Sequence, residues 1–112
     1  MILNFEFQIP KNTSPKTPHA ARFDMGVNAS FIKSIEVYIP EGHKGLAGLK
    51  VSTSQRQLIP ATGSSMTYIR GDKQTITAAV NTPVPGVPYY LFCDGYNEDL
   101  FLPHSFFINV EI

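Results

Sequence analysis

Apolar and polar residues alternate from the start of the chain. Leu3, Phe5, Phe7 and Ile9 fall on one side of an extended segment and Asn4, Glu6 and Gln8 on the other, the period of a half-buried strand. The run Pro10 to Pro18, PKNTSPKTP, then brings three prolines and two lysines among small polar residues, a composition that neither joins a central ladder nor packs a core. It reads as an exposed loop or arm. A second strand is expected over Ala20 to Met25, a turn at Gly26-Val27-Asn28, and a long strand over Ser30 to Ile39, where Ile35, Val37 and Ile39 oppose Ser34, Glu36 and Tyr38.

Pro40 ends that ladder, and Leu46, Leu49 and Val51 mark the return strand, with Gly42, Gly45 and Gly48 supplying backbone freedom. Phe31 to Val51 is therefore the organising hairpin. Short strands follow at Gln57 to Pro60, Met66 to Arg70 and Thr75 to Val80, separated by turn-forming Ala61 to Ser64 and Gly71-Asp72-Lys73. Asn81 to Pro88 is a proline-rich crossover, Tyr89 to Asp94 a strand, Gly95 to Pro103 a long loop and Ser105 to Ile112 the closing strand. No window carries a 3.6-residue apolar period. About eight short strands at this spacing imply an all-β fold with minimal helix: one antiparallel, jelly-roll-like sandwich over 19–112, preceded by the strand and proline-rich arm of 1–18.

Composition narrows function by exclusion. The 112 residues allow one domain that removes roughly two-thirds of its unfolded surface from water. Lysine and arginine balance aspartate and glutamate, and the arginines, Arg22, Arg56 and Arg70, are scattered, which argues against a nucleic-acid partner. A charge near zero favours association. The N-terminus lacks the pattern of a signal peptide, and no apolar run approaches the roughly 20 residues of a membrane span. The single cysteine, Cys93, excludes an internal disulfide and reads as a buried, inert thiol.

Candidate chemistry is sparse. His19, His43 and His104 have no metal-site spacing and read as residues of loops or strand ends, His43 as a surface or contact residue. Asp94 to Asp99, DGYNED, offers oxygen ligands of the kind calcium takes, but matches no EF-hand and suits a turn equally. Triads drawn from Ser30, His43 and Asp72, or from Ser105, His104 and Asp99, lack a nucleophile elbow. No catalytic, cofactor or metal residue is therefore assigned. The asparagine-x-serine triplets at Asn12 and Asn28 read as chance without a secretion signal. Phe5, Phe7, Phe31, Phe92 and Phe106 read as core; Tyr38, Tyr68, Tyr90 and Tyr96 read as surface aromatics suited to an interface or a sugar.

The hairpin's Pro40-Glu41-Gly42-His43, Gly71-Asp72, and Asn97-Glu98-Asp99 with His104 together resemble small β-sandwich structural proteins of tailed bacteriophages, over about Ala20 to Val110. The resemblance implies a non-enzymatic virion component, a capsid decoration, neck or tail accessory subunit, made in the host cytoplasm and located in the virion. Its partners would be further copies of itself and other virion proteins, with a host-surface glycan as an additional one. Interface positions expected on this reading are Leu3, Phe5, Phe7, Pro10, Pro18, Pro83, Pro85 and His43, with residues 1–18 able to dock on a neighbour as an arm. The alternative is a carbohydrate-binding module with Tyr96, Asn97 and Asp99 lining the sugar site, helped by Tyr90 or Tyr68.

Overall fold

A computed structural model describes residues 1–60 and 68–112. Eight strands, β1 (Ile2–Ile9), β2 (His19–Asp24), β3 (Phe31–Ile39), β4 (Ala47–Ser52), β5 (Gln57–Ile59), β6 (Gln74–Pro83), β7 (Tyr90–Asn97) and β8 (His104–Glu111), form two antiparallel sheets ordered β1-β8-β3-β6 and β2-β7-β4-β5. No described residue is helical. The first strand pairs with the last, the second with the seventh, the third with the sixth and the fourth with the fifth. The chain is thus one long ribbon doubled back on itself, then rolled so that β3 meets β8 and β4 meets β7. That rolled ribbon is the jelly-roll sandwich expected from the alternating pattern.

Register explains the core. Opposing pairs Phe7 with Phe106, Ile35 with Val110 and Val37 with Ile108 put one apolar row of the first sheet inward. Leu49, Val51, Leu91 and Cys93 do the same for the second, and all of these side chains are buried. Slipping a strand by one residue would turn its row to solvent, so this pattern fixes the pairing. The sheets close along one side, where Phe5 stacks on Phe23 with ring centroids 5.0 Å apart and Phe7 meets Phe23 edge-on.

Several boundaries move. β1 is present as expected, but it is no part of a detachable arm: it pairs along its length with β8 and buries Phe7 and Ile9 in the core. The following segment is pinned as well, since Thr13 exchanges backbone hydrogen bonds with Asn97 and the Asn12 amide donates to the Asp99 carbonyl. β6 runs on through Pro83, and β7 extends through Asn97, because a glycine at 95 fits where a Cβ would meet Ile9, Phe7 and the Gly48 carbonyl. The predicted strand at Met66 to Arg70 and the turn at Ala61 to Ser64 lie wholly or partly outside the described residues; within them, Ile69 bridges Leu49.

Not every phenylalanine is core. Phe31 is 44% exposed, and Phe92 sits half-buried on the outer side of its sheet, because the inward row of β7 is taken by Leu91, Cys93 and Gly95.

Candidate functional site

At the end of the sandwich where β7 stops and β8 begins, residues Glu98 to Pro103 carry three consecutive exposed apolar side chains. Leu100, Phe101 and Leu102 are 61%, 80% and 60% exposed. The loop that presents them is built by one buried residue and one carboxylate. The Asn97 side chain is fully buried; its amide nitrogen donates to the carbonyls of Ile9 (3.3 Å) and Leu102 (2.9 Å), and its oxygen accepts from the Asp99 amide (3.0 Å). Asp99 Oδ1 in turn accepts from the amides of Phe101 (2.9 Å) and Leu102 (3.2 Å), while Oδ2 pairs with His104 Nε2 at 2.8 Å.

These bonds hold the Asp99 carboxyl below the usual carboxylate range, the Phe101 amide contributing most and the His104 side chain next. Backbone bonds from the Asn12 amide to the Asp99 carbonyl and from the Glu98 amide to the Leu46 carbonyl fasten the loop from both sides. The result is an apolar tip whose backbone is held by the Asn97 and Asp99 side chains and by these two backbone bonds.

His43 lies beneath this tip and not on the surface expected of it. It is 1% exposed, its ring 4.6 Å from that of His104 and edge-on to Phe106 at 4.8 Å. The cause is the turn that carries it: positive φ at Gly42, Lys44 and Gly45 curls the chain, and Asp72 Oδ1 accepts from the amides of Gly42 (2.8 Å) and Lys44 (3.2 Å). The clamp folds the imidazole inward, with Nδ1 buried and unpartnered. Burial, followed by the neighbouring His104, pulls the His43 pKa below its ordinary value.

The remaining expected positions are dispersed. Leu3 and Phe5 are half-buried on β1 and pack against the core, and Phe7 is core and so not a surface contact. Pro10 and Pro83 are exposed, Pro18 and Pro85 partly covered, and the first two lie on different elements. Tyr96 is packed edge-on against Tyr68 over Gly48 on the outer face of the sheet, and Asn97 points inward with its hydrogen bonds used. Tyr96, Asn97 and Asp99 therefore do not converge on a sugar-facing surface, because alternation along β7 sends neighbours 96 and 97 to opposite sides.

Two groups that nucleophilic chemistry would draw on, Cys93 and Ser105, are engaged in the fold. Cys93 is fully buried and its thiol is pushed up to about 12, first by burial and then by Asp94. Ser105 Oγ donates to Glu6 at 2.9 Å. Among the described residues no cluster of histidine, cysteine and carboxylate side chains has the arrangement of a metal site, and Asp99 spends one oxygen on the loop amides and the other on His104.

The apolar tip was missed from the sequence because Gly95 to Pro103 reads as a single loop. Its signal is nevertheless local: Asn97 and Asp99, both able to bond backbone amides ahead of them, stand directly before the triplet Leu100-Phe101-Leu102. No family model matches this chain, and no curated protein matches it either.

Proposed function

We propose that the protein is a structural, non-enzymatic subunit of a bacteriophage particle that works by assembly, seating its Leu100-Phe101-Leu102 tip in an apolar socket of a neighbouring copy. The braced tip carries the reading. Large apolar side chains that stay in water are disfavoured in a protein that remains alone, and holding their backbone in advance lowers the entropy lost on docking. A membrane would suit such a tip only with a ring of cations around it. Here the adjoining residues are Glu98 and Asp99, and the neighbouring Pro10 to Pro18 segment adds Lys11 and Lys16, two cations against two carboxylates and no ring of them, so a protein socket is the better match.

The bacteriophage assignment comes from the resemblance carried by Pro40 to His43, Gly71-Asp72 and Asn97 to Asp99. Each of these motifs has a concrete job in the fold: Asp72 clamps the turn that holds His43, and Asn97 and Asp99 shape the tip. The jelly roll recurs among viral capsid and lectin domains, a correspondence of fold that is compatible with the reading and carries no function by itself.

The test is particle composition. Particles purified from the culture that carries this gene, analysed by quantitative mass spectrometry, are expected to contain the chain in a fixed ratio to the capsid or tail subunits. Its absence from intact particles would overturn the reading.

A further inference from the structure

The outer face of the β2-β7-β4 sheet bears a second feature that assembly through the tip does not use. Across it, cross-strand partners line up as Arg22, Phe92 and Ser52, and in the next outward row as Ala20, Asp94 and Lys50. An open groove of about 500 Å³ runs over Ala20, Arg22, Ser52, Ser54, Phe92 and Asp94, within the roughly 300–1,000 Å³ typical of small-molecule sites.

Its floor is aromatic. Phe92 is half-buried on a face where solvent would favour a polar side chain, and Tyr90 meets it edge-on with ring centroids 6.2 Å apart. The Arg22 guanidinium lies 4.7 Å over the Tyr90 ring, a cation–π contact that restrains it beside Phe92. Among the described residues, neither Arg22 nor Asp94 forms an ion pair or a side-chain hydrogen bond, so five N–H donors and a two-oxygen acceptor flank the platform unspent. Ala20, opposite Asp94, is too small to fill the space beside the carboxylate.

From this arrangement we propose that the groove binds a neutral saccharide ring. A pyranose has a C–H face that covers an aromatic ring and a rim of hydroxyls, each both donor and acceptor. Phe92 takes the face; Asp94 accepts from one hydroxyl, Arg22 donates to another, and Ser52 serves either role. A free anion is repelled by Asp94 and a free cation by Arg22, whereas a polyol is matched by both. A purely apolar ligand would strand both charges out of water at high cost. The ligand class is therefore set by two opposite charges, unpaired among the described residues, beside an aromatic floor.

The groove and the tip belong to different parts of the molecule, so the proposal stands apart from the assembly reading. Amide chemical shifts of the ¹⁵N-labelled protein would be followed during titration with methyl glucoside, methyl galactoside, methyl mannoside and N-acetylglucosamine. At least one is expected to give saturable shifts at residues 20–22, 52–54 and 91–94, with a dissociation constant on the order of 1–10 mM, as suits a single ring. Phe92→Leu keeps an apolar side chain without a flat face, and Asp94→Asn keeps shape without charge; each is expected to weaken binding by about ten-fold or more while the rest of the spectrum is retained. Absence of saturable shifts in the groove with all four sugars overturns the proposal. So does binding of unchanged strength in both variants, or saturable shifts confined to another surface.

Discussion

Replacing Asn97 with alanine tests how the apolar tip is built. The side chain is fully buried and makes three hydrogen bonds, to the Ile9 and Leu102 carbonyls and from the Asp99 amide. Each bond contributes about 1 kcal/mol net, and the partners left behind lose their bonds in a place water reaches poorly. The expected cost is about 3 kcal/mol, which in a domain of this size lowers the melting temperature by roughly 10–15 °C. Asn97→Asp should cost more than alanine at neutral pH, since a carboxylate accepts from the Asp99 amide but opposes both carbonyls. Urea denaturation followed by circular dichroism reads the stability, and the amide shifts of residues 99–102 read the loop. A loss below about 1 kcal/mol, with those shifts unchanged, would refute the claim that Asn97 organises the tip.

Further outcomes follow from other parts of the fold. His43 titrates near 6.5 when unfolded and lower when folded, so the unfolded chain binds more protons in between. Its contribution is complete above about pH 6.5 and is lost as pH falls; Asp72 and Asp99, both depressed, withdraw theirs at more acid values. The urea midpoint should therefore drop from pH 7.5 to 5, and His43→Phe should flatten that slope; a flat wild-type profile contradicts the account. Gly95→Ala sets a Cβ against the Gly48 carbonyl at 2.9 Å, a backbone atom that cannot swing aside, and should cost about 2–3 kcal/mol in thermal denaturation; a neutral variant would show that β4 and β7 are farther apart. Removing residues 1–9 strips Phe7 and Ile9 from the core, about 2 kcal/mol or more each before the lost strand pairing. The truncated chain should show no cooperative unfolding, and a sharp transition would restore the idea of a separable arm.

The fold was legible because its signal is period two. Leu3 to Ile9, Ile35 to Ile39 and Ile108 to Val110 alternate cleanly, and each lies in a strand with the expected face inward. Errors arose where alternation is broken by apolar residues on both faces, as in β7: Phe92 reads as core from its type, whereas its position between Leu91 and Cys93 sends it outward. His43 was misplaced for a different reason, since its burial depends on Asp72, far away in sequence, reaching the amides of its turn. The motifs Pro40 to His43 and Asn97 to Asp99 were visible; their joint purpose was not, because only folding brings His43 against His104 and ties Asp99 to both the histidine and the tip.

The central claim is that Leu100, Phe101 and Leu102 hold copies together, and multi-angle light scattering tests it most directly. At tens of micromolar the wild-type protein is expected to run as a stable oligomer. Replacement of all three residues by serine, at exposed positions where substitution changes stability by no more than about 0.5 kcal/mol each, is expected to give a folded monomer, close to the 12.4 kDa of one wild-type chain. A wild-type monomer at that concentration, or a serine variant that assembles as the wild type does, would contradict the account.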